Sequence, residues 1–206
     1  MEFKSARQFF LGLVSVCLLW VTTNVAFAEE PLPMLEGVTS KVMSELKKHR
    51  EEIHQDPEKL YALVDHLILP HVDFVEMARW VVGRNAWKKA SPETQQAFIK
   101  AFRDMVVRSY ARSLLEYTDQ EVEFLPLREA SVNEERVQIS SLIKDGSQIT
   151  HMNYYLLNEG GSWRVYDIII EGVSLIQGYR AQFADDIREG GVSQAVQTMQ
   201  RHNSQG

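Results

Sequence analysis

The chain has 206 residues, with 22 Lys or Arg against 28 Asp or Glu, so its net charge is −6. This mildly acidic balance argues against nucleic acid as a partner, because proteins that bind nucleic acid present a basic face. The one cysteine, Cys17, lies in an N-terminal apolar segment. Disulfides, thiol nucleophiles and cysteine metal sites are therefore excluded from the remainder of the chain.

Residues 1–28 have the pattern of a signal peptide. A short basic start precedes an apolar run, and Ala26-Phe27-Ala28 then offers small residues at the two positions that a signal peptidase reads. We expect cleavage after Ala28, because the apolar run is short for a membrane anchor. The remaining residues, 29–206, carry 20 basic and 27 acidic side chains once Lys4, Arg7 and Glu2 are removed, and they should form a single domain.

Helical spacing of apolar residues dominates the first half of this domain. Asp56-Pro57 is a helix start, and Pro70 interrupts the helix that follows it. Ser91-Pro92-Glu93 is a second start, for a long helix with a wide aromatic stripe that we expect to reach Thr118. The predicted helices cover residues 35–46, 57–68, 72–82 and 92–118.

After Asp119 the apolar residues alternate with polar ones, which predicts strands at residues 122–127, 137–143 and 149–157. The last strand, residues 162–170, is apolar on both alternating sets and should be covered on both faces over much of its length. A bend at Glu171-Gly172 and a helix capped by Ser174 follow, with helical sequence to Gln200. This order predicts an α+β fold in which a helical layer packs on a curved antiparallel sheet.

Short motifs in the expected order along this domain resemble those of the MlaC family, also called the toluene-tolerance family, of periplasmic phospholipid-binding transport proteins. The last block, around Glu171-Gly172, is the most specific. Gly178 departs from the pattern, since a polar residue is expected there. The matching residues are Leu69-Pro70-His71-Val72-Asp73-Phe74, Met77-Ala78-Arg79, Gly83, Trp87, Ala90-Ser91-Pro92-Glu93, Phe98, Ala101-Phe102, Tyr166-Asp167, Glu171-Gly172-Val173-Ser174-Leu175, Tyr179-Arg180 and Phe183.

The resemblance implies an NTF2-like cone that encloses an apolar cavity for phospholipid, with no cofactor and no enzymatic activity. It implies a periplasmic carrier that shuttles lipid between two membrane complexes and so maintains outer-membrane lipid asymmetry. The implied partners are an outer-membrane lipoprotein complex and an inner-membrane ABC transporter complex with its substrate-binding ring.

Large apolar side chains on the predicted helices and strands are the candidates for the cavity wall. From the residues alone, such stripes also fit an ordinary core, and the resemblance favours the cavity. The candidate lipid-binding residues are Phe74, Met77, Val81, Phe98, Phe102, Met105, Val106, Tyr110, Leu114, Met152, Tyr154, Leu156, Val165, Ile168, Ile170, Val173 and Tyr179.

Two alternative functions remain at this point. Asp167, next to Tyr166 in an apolar strand, could serve an enzyme that uses an acid and a tyrosine in a pocket. A charge paired with Arg164 or Arg180 is the simpler expectation for this aspartate. The third class is a periplasmic adaptor protein, in which the aromatic stripe docks a partner protein.

Three other polar residues are candidates for a catalytic base or a metal ligand: Asp73, His66 and His71. We expect Asp73 to cap a helix rather than act as a base with His71. The two histidines lack a third ligand in the pattern, so no metal site is predicted.

Overall fold

The computed structural model describes residues 30–115, 120–127 and 135–204. The predicted signal peptide lies outside the described residues. Helices are followed by a sheet and then by two more helices, which confirms the predicted α+β class. The helices are α1 (Pro31–Lys48), α2 (Arg50–Gln55), α3 (Glu58–Leu67), α4 (Phe74–Val82), α5 (Arg84–Lys89), α6 (Pro92–Tyr110), α7 (Leu175–Gln182) and α8 (Ala184–Asn203). The strands are β1 (Glu121–Phe124), β2 (Arg136–Asp145), β3 (Gln148–Glu159), β4 (Ser162–Ile170) and β5 (Val173–Ser174).

Side-chain caps fix the starts of three helices. The Asp73 carboxylate accepts a hydrogen bond from the backbone N–H of Glu76 at 2.8 Å, and so caps α4 as predicted. The Ser91 and Ser174 hydroxyls accept the equivalent bonds at the starts of α6 and α7. Gly83 ends α4 with φ of +80°, a conformation that favours glycine.

The helical pattern is interrupted at three points where the sequence predicts continuity, one of them at Gly191 inside α8, whose φ is +69°. The prediction of a single helix to Thr118 is wrong, because α6 ends at Tyr110 and a 3₁₀ turn, Arg112–Leu115, follows. The C-terminal helical sequence is divided into α7 and α8 at Phe183, whose backbone leaves the helical region. The short helices α2 and α5 are not predicted, since six residues cannot show a helical period.

The sheet has the order β1-β2-β3-β4-β5, and all neighbouring strands are antiparallel. A β-bulge shifts the register of β3 and β4 next to Tyr155 and Leu156. Bulges bend the strand that carries them and increase its twist. The segment before α4 lies against the free edge of β4, where the backbone N–H of Asp73 donates to the carbonyl of Val165.

The largest hydrophobic cluster lies among helices. Side chains of α4, α6, α7 and α8 pack around the aromatic rings of Phe98, Phe102, Tyr179 and Phe183. The Phe98 and Phe102 ring centroids are 5.9 Å apart, and those of Phe102 and Tyr179 are 5.1 Å apart. A second cluster joins α1, α2 and α3 to the end of α6. Within the described ranges, no helix combines the length and the apolar character that crossing a membrane requires.

Candidate functional site

One face of the sheet is apolar along four strands. Residues opposite each other in antiparallel strands share a face, and successive residues alternate between faces. The register pairs Phe124 with Ser141, Ser141 with Met152, and Met152 with Ile170, so their side chains lie on this face. We call it the apolar face. Besides the polar residues Ser141 and Thr150, it carries Val122, Phe124, Val137, Ile139, Ile143, Met152, Tyr154, Leu156, Trp163, Val165, Ile168, Ile170 and, at its rim, Val173.

Helix α1 covers one end of the apolar face. Met34 and Leu35, which are 3% and 6% exposed, pack there in a cluster with the strand residues. We call this region the packed end. Its strand residues are Val137, Ile139, Leu156, Trp163 and Val165, all of them buried.

The other end of the apolar face is only half-buried, and we call it the accessible end. Tyr154, Ile168 and Phe124 touch the packed cluster from outside, whereas Met152 and Ile170 lie beyond it. A continuous patch of half-buried apolar side chains on a curved sheet is the geometry that a hydrocarbon ligand requires. The accessible end comprises Val122, Phe124, Ile143, Met152, Tyr154, Ile168 and Ile170.

Most of the predicted wall residues lie in two regions, the apolar face of the sheet and the helical cluster. Tyr154, Leu156, Val165, Met152, Ile168 and Ile170 share the apolar face. The helical candidates Phe74, Met77, Val81, Phe98, Phe102, Met105 and Tyr179 belong to the helical cluster, with Val106 packed against it. These helical side chains contact one another, and their contact with a ligand stays a prediction.

Two predicted wall residues lie outside both groups, and a third lies at the rim of the apolar face. Leu114 packs against the cluster of α1, α2 and α3, and Tyr110, at the end of α6, is 42% exposed. Val173, on β5, shares the apolar face because it lies opposite Ile170, but it is 69% exposed. Their role as wall residues stays a prediction.

Three residues of the accessible end, and Ser141 at its boundary with the packed end, are absent from the predicted wall. Val122, Phe124 and Ile143 belong to the accessible end, and Ser141 lies on the same face opposite Phe124. The sequence contains part of the signal, since Ser141 and Ile143 continue the alternation that begins at Val137. The pairing of β1 with β2, which brings Phe124 to this face, is a long-range contact that the alternation alone does not reveal.

Ser141 and Tyr154 place two hydroxyl groups on the apolar face. Ser141 is 1% exposed, and its Oγ donates to the Tyr154 Oη over a distance of 3.4 Å. Burial raises the pKa of the Tyr154 phenol above its ordinary value, since the charged form loses its hydration. Tyr154 therefore stays a protonated hydrogen-bond donor throughout the neutral pH range.

Asp167 has a structural role different from the predicted ion pair. Its carboxylate accepts hydrogen bonds from the backbone N–H groups of Ile168 and Ile176 and from the Ser174 hydroxyl, at 2.9, 3.2 and 2.7 Å. The expected pairing with Arg164 or Arg180 is wrong: Arg164 bonds to Glu159, and among the described residues Asp167 forms no ion pair with either arginine. Asp167 thus fixes the turn between β4 and α7, where a charge near a helix N-terminus is stabilised.

The buried carboxylate of Glu76 connects α4 to the face of the sheet opposite the apolar face, which we call the outer face. Glu76 accepts hydrogen bonds from Arg79 at 3.1 Å, from the Trp80 indole at 2.9 Å and from Arg136 at 3.1 Å. The Arg136 guanidinium also lies 4.9 Å from the centroid of the Tyr166 ring, a cation–π distance. Arg136 precedes Val137 in β2, so this cluster lies behind the packed end.

The described part of the chain contains no group of three His, Cys, Asp or Glu side chains arranged to hold a metal ion. Surface grooves of about 480 Å³ on α8 and about 240 Å³ between α3 and α6 are lined mostly by polar side chains. Their lining residues lie on α3, α6 and α8 and at Ser204, which follows α8, and include no residue of the apolar face.

Two proteins with related sequences are named for toluene tolerance and for phospholipid transport. Toluene tolerance protein ttg2D of Pseudomonas putida is 26% identical to this chain over 180 residues, which cover 87% of this chain and 83% of the relative. The intermembrane phospholipid transport system binding protein MlaC of Haemophilus influenzae is 25% identical over 209 residues, which cover 100% of this chain and 97% of the relative.

A solved structure and a family model agree with these relatives. The structure is that of a phospholipid-binding protein from Ralstonia solanacearum in complex with a phospholipid. It matches with a TM-score of 0.78 and 29% identity, over 86% of this chain and 98% of that chain. The family model described as MlaC protein matches residues 36–201, which is most of the chain. The chain therefore belongs to the MlaC family.

Proposed function

We propose that the protein binds phospholipid and carries it through an aqueous compartment. The observation that carries this proposal is the accessible end of the apolar face, where large apolar side chains from four strands remain half-buried. Close-packed proteins rarely leave a continuous apolar patch without a ligand or partner to cover it. The similarity to a protein solved with a bound phospholipid supports this choice of ligand.

The energetics explain why a phospholipid needs such a protein. Each methylene transferred from water to an apolar environment is worth about 0.8 kcal/mol, so an acyl chain of about 16 carbons exposed to water costs roughly 13 kcal/mol. A carrier lowers that cost only if it offers apolar side chains along the chain. Aromatic side chains suit the task because they offer a large apolar area, and methionine suits it because its flexible chain adapts to a mobile hydrocarbon. The accessible end contains Phe124, Tyr154 and Met152.

Location and partners form the finer part of the proposal. The leader, residues 1–28, is cleaved during export, and residues 29–206 form one lipid-binding domain in the periplasm. This domain takes phospholipid between an outer-membrane lipoprotein complex and the substrate-binding ring of an inner-membrane ABC transporter complex, and so maintains outer-membrane lipid asymmetry. The name of the relative from Haemophilus influenzae, an intermembrane phospholipid transport system binding protein, supports this assignment.

Lipid carriage is tested with a matched pair of neighbouring isoleucines. Ile168 lies on the apolar face, whereas Ile169 pairs with Asn153 and Ser174 on the opposite face. Both side chains are half-buried, so an aspartate should perturb the fold to a similar degree at either position. Phe102 is a poor probe by comparison, because it is fully buried among aromatic rings and its loss should unfold the helical core.

The experiment is native mass spectrometry of protein purified from the periplasm, with extraction and identification of the lipid. We expect wild type and Ile169→Asp to carry phospholipid, and Ile168→Asp to be folded by circular dichroism but empty. Ile168→Asp that retains a normal lipid load would exclude the apolar face as the binding site. N-terminal sequencing of the same material tests the cleavage after Ala28.

A further inference from the structure

The hydroxyl groups of Ser141 and Tyr154 are poorly satisfied within the protein. Ser141 Oγ lies 3.4 Å from Tyr154 Oη, and Tyr154 Oη lies 3.7 Å from the sulfur of Met152. Ordinary O–H···O hydrogen bonds measure about 2.7–2.8 Å, so the hydroxyl contact is long, and a thioether sulfur is a weak acceptor. Each hydroxyl can donate once and accept twice. Among the described residues, both donated hydrogens go into long or weak contacts, so neither hydroxyl forms a strong hydrogen bond with the protein.

The surroundings of these hydroxyls are apolar. Across the sheet, Ser141 faces Phe124 and Met152, and Tyr154 faces Ile139 and Ile168. The Phe124 and Tyr154 ring centroids are 6.0 Å apart. A hydroxyl buried in such surroundings costs free energy unless it finds a partner, so an ordinary core would favour alanine and phenylalanine at these two positions.

The position of the pair narrows the choice of ligand group. It lies where the packed end meets the accessible end, in contact with the patch assigned above to an acyl chain. None of the side chains that face it across the sheet is charged, so a phosphate or carboxylate placed there would lose its hydration without compensation. A neutral hydrogen-bond acceptor is compatible with the site, and the ester carbonyl is the acceptor that joins each acyl chain to a phospholipid.

Resting on the proposed function, we propose that the hydroxyls of Tyr154 and Ser141 bind an ester carbonyl oxygen of a diacyl phospholipid. Tyr154 donates to the carbonyl oxygen, and Ser141 supports it from the buried side. The contact fixes the depth of one acyl chain on the accessible end and keeps the charged headgroup away from the apolar face. The site consequently distinguishes ester-linked lipids from ether-linked lipids, since an ether lacks the carbonyl oxygen.

The test compares two phosphatidylglycerols that have the same headgroup and chain length, one with ester and one with ether linkages. Delipidated full-length mature protein is titrated with each lipid. We expect wild type to bind the ester lipid about three- to tenfold more tightly, the range for one net hydrogen bond. Tyr154→Phe should bind both lipids equally, at the affinity that wild type shows for the ether lipid.

Tyr155→Phe is the matched control, because Tyr155 is the next residue of β3 and its ring contacts Tyr166 on the outer face. This variant should retain the preference for the ester lipid. Ser141→Ala provides a second measurement, with a reduced preference expected, if Tyr154→Phe does not fold. Equal binding of the two lipids by wild type, or an unchanged preference in Tyr154→Phe, would overturn the inference. Failure of wild type to bind either lipid would overturn the proposed function, and this inference with it.

Discussion

The two ends of the apolar face share strands β2, β3 and β4 and have similar side chains, but a helix covers only one of them. At the packed end, Met34 and Leu35 of α1 seal the sheet, and Leu156 is fully buried. At the accessible end, Met152 and Ile170 remain half-buried. Strand alternation therefore determines which face is apolar, and the placement of one helix determines which part of that face is core and which part is open to a ligand.

The difference between the two ends is tested most directly by removing the same side-chain volume at each of them. Leu156→Ala at the packed end should lower the free energy of unfolding by about 2–5 kcal/mol, since it leaves a cavity in close-packed surroundings. Ile168→Ala at the accessible end should cost about 1 kcal/mol in delipidated protein, because Ile168 is already partly exposed. Urea denaturation of the delipidated proteins measures both values.

Lipid binding should show the opposite ranking. The folded fraction of Leu156→Ala should retain phospholipid, whereas Ile168→Ala should bind it more weakly, as measured by titration with a phospholipid. Equal losses of stability at the two positions would mean that the two ends are a single continuous core.

A second prediction concerns the support behind the packed end. Glu76→Gln removes the charge that accepts hydrogen bonds from Trp80 and Arg136. Hydrogen bonds to charged groups are worth about 1.5–3 kcal/mol, so we expect a loss of stability in that range by urea denaturation. Arg79→Gln is the control and should cost at most about 1 kcal/mol, because the Arg79 side chain is 58% exposed. Equal effects of the two variants would show that Arg136 and Trp80 do not stabilise this cluster.

The sequence predicts local features well. Ser162–Ile170 is a strand as expected, Asp73 and Ser174 cap helices, and the α+β order is correct. These features follow from neighbouring residues, whose caps and alternation act within a few positions. The predicted cavity wall depends instead on which elements meet in space. The aromatic stripe of α6 is compatible both with a cavity wall and with an ordinary core. In the structure, Phe98 and Phe102 contact other helices.

Asp167 illustrates the same limit in one residue. An aspartate in an apolar strand predicts a charged partner, but three donors from the strand, the turn and α7 satisfy it instead. The turn that gathers these donors includes Glu171, a non-glycine residue with φ of 48°, and sequence spacing does not predict such a conformation.

The third prediction uses pH to probe the accessible end. Burial raises the pKa of Tyr154 in the folded state above the ordinary value of 10.0. At pH values well below about 10 the phenol is protonated in both states, and Tyr154 contributes no pH dependence. As the pH rises further, the unfolded chain loses this proton first, so stability falls by at most about 1.4 kcal/mol per pH unit.

Urea denaturation at pH 8.5 and pH 11 measures this effect. Tyr154→Phe should show a smaller decline than wild type between the two conditions. Tyr179, whose pKa is also raised by burial, remains in both proteins, so the difference between them isolates Tyr154. A decline of the same size in wild type and Tyr154→Phe would mean that Tyr154 is hydrated at the accessible end.

The smallest effect is expected at the rim of the accessible end, where Val173 on β5 lies opposite Ile170 and is 69% exposed. Val173→Ser should change the free energy of unfolding by less than about 0.5 kcal/mol, since an exposed side chain makes few contacts. Its effect on phospholipid affinity should also be smaller than that of Ile168→Ser, because Ile168 is the more buried of the two. Titration of both variants with the same phospholipid measures the difference. A loss of affinity at Val173 as large as that at Ile168 would extend the lipid contact beyond β4 to the strand at the edge of the sheet.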